Sequence, residues 1–257
     1  MAERTEFAHG EFAWADLMTD DTAAATTFYA TIFGWTAEPV EMPDAGGYTM
    51  LTLNGLHVAA LSPKQPGDPG PSRWQVYVNV DDADKTVEQA QAAGGSALFP
   101  AMDVFTSGRM AVLADPAGAV FALWQPKEHR GARLTDEPGA LTWVELTTSD
   151  TEASKTFYGD VFGWTAETSD GGGMAYTEFG LGDKTIAGMM AKPPGMPADI
   201  PSYWMPYFQT TDPDKLAGEI TALGGTIMAG PDDVPGGGRY VVAADPQGAA
   251  FGLYRPA

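Results

Sequence analysis

Two carboxylates stand out because each follows a tryptophan by two residues: Trp14 with Asp16, and Trp143 with Glu145. Both pairs lie on stretches of alternating character (12–19 and its counterpart near 141) that read as strands, so acid and indole share one face. A carboxyl held among aromatic side chains has a raised pKa and suits general acid/base work. It can equally pair with a cationic ligand group over the aromatic faces. A plainer reading binds Asp16 and Glu145 to Arg109 and Arg239 or to backbone amides.

The two pairs belong to one unit written twice. The stretch Thr27-Phe28-Tyr29-Ala30-Thr31-Ile32-Phe33-Gly34-Trp35-Thr36-Ala37-Glu38 returns at Thr156 as TFYGDVFGWTAE, an offset of 129 residues. At nearby offsets Tyr48-Thr49 meets Tyr176-Thr177, Trp74 and Tyr77 meet Trp204 and Tyr207, Arg109 meets Arg239, and Asp115-Pro116 meets Asp245-Pro246. The offset changes only across Gly/Pro-rich segments, where insertions are tolerated. Self-similarity over nearly all of 257 residues describes a tandem duplication of ordinary domains.

The elements that position the pairs follow in order. A strand over 12–19 leads to Asp21 as N-cap, a helix over 23–32 and Gly34 as its stop. Asn54-Gly55 suits a tight hairpin turn between strands at 48–53 and 56–61. The proline-bearing connector 62–72 precedes a strand over 74–80, N-cap Asp82, a helix over 83–93 and strands at 96–99, 109–114 and 119–124. Each half thus reads as βαβββ followed by βαβββ, in the α+β class. The domains are expected at 1–125 and 140–257, with a linker over 126–139 lying outside both cores.

Composition narrows the function. Lys and Arg number 14 against 34 Asp and Glu, a net charge of −20 that repels nucleic acid and anionic membranes. With no cysteine there is neither disulfide nor thiolate metal site. No apolar run is long enough to span a membrane, and the chain is expected to be cytoplasmic, as a monomer or homodimer.

Phe28-Tyr29 with Phe33-Gly34-Trp35, the turn Asp115-Pro116-Ala117-Gly118, their second copies and four βαβββ modules together resemble the vicinal oxygen chelate superfamily. That group includes glyoxalase I, extradiol dioxygenases, fosfomycin-resistance and bleomycin-binding proteins. The resemblance implies two tandem glyoxalase-like domains, each a cup of curved mixed sheet, with metal ligands on three strands facing its floor. Those positions are occupied here by Trp14, Gln75 and Ala122, and by Trp143, Met205 and Gly252. None is a His or a carboxylate, so no metal and no cofactor are expected.

Strand alternation then gives each cup its lining. In the first, Trp14, Asp16, Gln75, Tyr77, Asn79, Ala122 and Trp124 share a face, and in the second Trp143, Glu145, Met205, Tyr207, Gln209, Gly252 and Tyr254. Asp16 and Glu145 are the catalytic candidates. Arg109 and Arg239 follow glycine-bearing segments and are expected to clamp an anion or close a salt bridge. His57 is a one-sided ligand, an acid/base group or a structural residue, whereas His9 and His129 read as solvated bystanders. The expected ligand is a hydrophobic or aromatic small molecule, bound for sequestration or acid/base chemistry without metal. The alternatives are a hydroxylase- or lyase-like enzyme of natural-product metabolism and a protein-interaction module with vestigial cups.

Overall fold

The computed structural model describes residues 3–41, 46–68, 70–170, 175–197, 199–234 and 237–257. Pro69 of the 62–72 connector, and Pro235 and Gly236 of the segment before Arg239, lie outside the described residues. In the first half β1 (Phe12–Thr19), α1 (Thr22–Phe33), β2 (Thr36–Pro39), β3 (Thr49–Leu53) and β4 (Leu56–Pro63) form one module. The next contains β5 (Arg73–Asn79), α2 (Ala83–Ala92), β6 (Ser96–Val104), β7 (Gly108–Ala114) and β8 (Val120–Pro126). The second half repeats the order as β9 (Leu141–Thr148), α3 (Thr151–Phe162), β10 (Thr165–Asp170), β11 (Ala175–Leu181) and β12 (Lys184–Ala191). It closes with β13 (Tyr203–Gln209), α4 (Pro213–Ala222), β14 (Thr226–Asp233), β15 (Arg239–Ala244) and β16 (Ala250–Arg255). Among the described residues no helix is long and apolar enough to cross a membrane.

The local signals act as their chemistry requires. Asp21, Asp82, Asp150 and Asp212 each accept the amide three residues on, which satisfies a helix N–H that lacks an intrahelical partner. Gly34 and Gly163 end α1 and α3 in the left-handed region, at φ 72° and 73°.

Modules pair within each half. β1 runs antiparallel to β5 and parallel to β4, and β5 runs parallel to β8, which sets Trp14 beside Tyr77 and Tyr77 beside Ala122. β9, β13, β12 and β16 repeat this, with Trp143 beside Tyr207 and Tyr207 beside Gly252. Among the described residues the two sheets share one backbone bridge, Tyr203 to Val120.

The helices join the halves instead. The Phe-Tyr and Phe-Gly-Trp residues are core, as their apolarity predicts, but the core they build is shared. Phe28, Tyr29 and Phe33 of α1 pack on Phe251 of β16, and Phe157, Tyr158 and Phe162 of α3 pack on Phe121 of β8. Each buried tyrosine also ties the Asp-Pro turn of the other half. Trp74 Nε1 donates to the Tyr29 hydroxyl at 3.0 Å and Tyr29 to Asp245 at 3.1 Å, while Trp204 donates to Tyr158 at 2.8 Å and Tyr158 to Asp115 at 3.1 Å. Trp35 and Trp164 donate to the carbonyls of Gly139 and Gly10, again across the halves.

Removing one of these hydroxyls leaves a buried carboxylate and an indole N–H short of a partner. Tyr158→Phe is therefore expected to lower unfolding free energy by about 1–2 kcal/mol. Because the core is shared, denaturant melts should show one transition for both halves, and two separate transitions would contradict it.

The linker departs from expectation. Ala132 and Leu134 are fully buried. β1 and β4 pair only from Asp16–Ala60 onward, so the strands splay above that point and leave a gap. The linker enters it: the Ala132 amide donates to the Ala13 carbonyl at 2.8 Å and the Arg133 amide to the His57 carbonyl at 2.7 Å. Gly131 is required here, since its φ is 106° and a Cβ would stand 2.6 Å from the Ala13 oxygen.

Candidate functional site

Each cup is built around one carboxylate held by two tyrosine hydroxyls. In the first, Tyr77 donates to Asp16 Oδ2 at 2.8 Å and Tyr48 to the same oxygen at 3.1 Å, while Trp14 Nε1 donates to the Tyr48 hydroxyl at 3.1 Å. In the second, Tyr207 donates to Glu145 Oε1 at 2.9 Å and Tyr176 to Oε2 at 2.8 Å, with Trp143 Nε1 donating to Tyr176 at 3.1 Å. The longer glutamate gives each tyrosine its own oxygen. Neither carboxylate meets Arg109, Arg239 or a backbone amide, so the plainer reading of their partners is replaced by a tyrosine cradle.

Burial dominates the electrostatics. It pushes the Asp16 carboxyl up to about 6 and raises Glu145 above its ordinary 4.5, against the opposing pull of the tyrosine hydroxyls. Burial, then the adjacent carboxylate, raises Tyr48, Tyr77, Tyr176 and Tyr207, so all four remain protonated donors at neutral pH. Each network is a carboxyl that can change its proton inside a fixed set of donors.

Small residues make room for the cradle. A Cβ on Gly252 would lie 2.0 Å from Tyr207 Cδ1, so the tyrosine ring occupies the space a side chain would need. Gly188, which faces Glu145 on β12, likewise leaves room for the Tyr176 hydroxyl.

The cups differ in cover. Trp14, Asp16, Gln75, Tyr77 and Trp124 are all buried; Trp14, Tyr77 and Trp124 cluster with Ala132 of the linker, and Phe7 packs against that cluster. His129 belongs to this cover and is no solvated bystander. Its ring stands edge-on to Trp14 with centroids 4.6 Å apart, its carbonyl accepts the Trp124 indole at 2.8 Å, and its Nε2 is enclosed without a partner. Burial drives its pKa down to about 4. His57 sits at the rim, where its carbonyl receives the linker and burial lowers its pKa. In the second cup Met205 and Tyr207 are buried, but Trp143, Glu145, Tyr176 and Tyr254 are partly exposed.

Two expected site residues stay outside the cups. Arg109 shares its face of β7 with Ala111 and Leu113, away from Met110 and Val112, and forms a bidentate pair with Asp84 at 2.7 and 2.8 Å. Arg239 pairs in the same way with Asp214 and also meets Asp233 at 2.9 Å. Both close salt bridges across exposed surface.

The residues at the superfamily's metal positions do not fit a divalent ion. Gln75 spends its amide N–H on the Val76 carbonyl, and Ala122, Met205 and Gly252 offer no hard donor. Among the described residues no cluster of three His, Asp or Glu side chains could hold a metal.

The family model described as the Glyoxalase/Bleomycin resistance protein/Dioxygenase superfamily matches residues 11–123 and again 140–253. The chain belongs to this superfamily. A Mycobacterium tuberculosis (strain CDC 1551 / Oshkosh) protein named "Putative glyoxylase CFP32" is 40% identical, over 100% of this chain and 99% of its own length. The anthracycline biosynthesis protein DnrV of Streptomyces peucetius is 37% identical over 97% of this chain and 94% of its own. Among solved structures, the 2,3-dioxygenase LapB from Pseudomonas sp. KL28 aligns with a TM-score of 0.68 at 14% identity, over 97% of this chain and 93% of that one. The Mn(II)-bound glyoxalase from Novosphingobium aromaticivorans gives 0.66 at 16% identity, over 96% and 82%. At such identities the superfamily structures establish the shared fold of curved open sheets.

Sequence reasoning missed Tyr48 and Tyr176. Their signal was the repeat itself, which pairs them at an offset of 128 beside the Trp and carboxylate pairs.

Proposed function

We propose that the second cup is the working one. It binds a hydrophobic or aromatic small molecule against Trp143, with Glu145 taking up and returning a proton and no resident metal ion. The observation that carries this reading is the contrast between two copies of one network: the linker seals the first and leaves the second accessible. An aromatic wall around one ionisable group is the usual make-up of a small-molecule pocket. The relationship to a protein named for anthracycline biosynthesis supports a natural product as the ligand class.

Native mass spectrometry of the purified full-length protein, with elemental analysis of the same sample, tests the reading. The expected result is a co-purifying organic ligand, less than about one tenth of a metal equivalent, and a melting temperature that chelators leave unchanged. Stoichiometric Zn, Fe, Mn or Ni would overturn it. Titration with that ligand should then show Trp143→Ala weakening binding by about 1–3 kcal/mol, without loss of folding.

A further inference from the structure

The gap that the linker fills in the first half recurs in the second. Ala13 and His57, whose carbonyls hold the linker, correspond in the repeat to Thr142 and Thr185. These two, with Trp143, Ile186 and Tyr254, line a cavity of about 610 Å³ between β9 and β12. As in the first half, the strands around it pair only further along, from Glu145–Gly188 onward. The residues that the 129 offset sets opposite Ala132-Arg133 are Glu3-Arg4; the Arg4 side chain lies on the slot lining, but its backbone bonds the linker rather than β9 or β12. The Arg4 amide donates to the Arg133 carbonyl at 2.9 Å, and its guanidinium meets Glu11 at 2.6 Å.

We propose that this slot docks an extended peptide segment of another protein, added as a short strand between β9 and β12. The first half displays the occupant's chemistry. Consecutive amides of Ala132 and Arg133 point to opposite sides and bond one flanking strand each, while the Ala132 methyl is buried against the cup cluster. A peptide with a glycine, a small residue and then a basic one meets the same demands. The net charge of −20 and the Asp136 carboxylate on the slot lining favour its cation, whereas Glu11 there is already paired with Arg4 and Lys184. This goes beyond the small-molecule reading and needs no ligand in the cup.

The probe is a labelled, end-blocked peptide of sequence HRGARLT, copied from 129–135, added to the full-length protein and followed by fluorescence anisotropy. Saturable binding is expected below about 1 mM. N-methylating the two amides that correspond to Ala132 and Arg133 should weaken it by about tenfold or more. Thr185→Trp fills the slot from an exposed position and should weaken binding of the unmodified peptide by a similar factor. Absence of saturable binding overturns the proposal. So does binding that survives N-methylation, or binding that the folded Thr185→Trp protein retains at full strength. The methylated peptide keeps the test decisive should that variant fail to fold.

Discussion

Glu145→Gln is expected to cut turnover of the second cup's ligand by roughly 10² to 10⁴-fold while leaving its affinity within about a factor of two. Glutamine keeps the shape and still accepts from one of Tyr207 and Tyr176 through its carbonyl oxygen, while its NH2 donates to the other hydroxyl, but it exchanges no proton. The pH profile separates this role from a structural one. Burial raises the Glu145 carboxyl, so wild-type activity should fall on acidification at a higher pH than an exposed glutamate would give. That limb should vanish in the variant. A variant with unchanged turnover would leave Glu145 a structural acceptor, and lost affinity with salt-sensitive wild-type binding would make it a counter-ion.

The arrangement of the modules was legible because its signals are local. Asn54-Gly55 adopts positive φ at both positions, 54° and 77°, and the four N-cap aspartates need only their own helix. Period-two alternation is likewise local, and it alone puts Trp14 with Asp16, and Trp143 with Glu145, on the concave face. What the chain could not disclose was non-local. Tyr29 reaches Asp245 across 216 residues, so a motif that looks like the core of one domain is the joint between two.

The linker was misread for a related reason. Its Gly, Pro and charged residues describe a surface loop, and Ala132 is buried only because β1 and β4 splay apart. His129 followed it into the first cup. The orientation of Arg109 and Arg239 was partly legible: strand parity puts Arg109 with Ala111 and Leu113, on the side that faces α2.

Sealing the first cup has a thermodynamic consequence at Asp16. Its carboxyl is raised from 3.8 to about 6, chiefly by burial, so folding favours the protonated acid. A group whose folded pKa exceeds its unfolded value contributes stability in full below the unfolded pKa and loses it as pH rises through the folded one. A tenfold change in proton affinity is worth about 1.4 kcal/mol. Relative to Asp16→Asn, the wild-type protein should therefore lose about 2–3 kcal/mol between pH 4 and pH 7. Asp115, Asp245 and Glu145 are also raised by burial, but they titrate in both proteins and cancel in the difference. Urea melts of the two proteins across this window measure it. A difference independent of pH would mean that Asp16 ionises in the fold as freely as in the unfolded chain, and the first cup would then be open to water around its carboxylate.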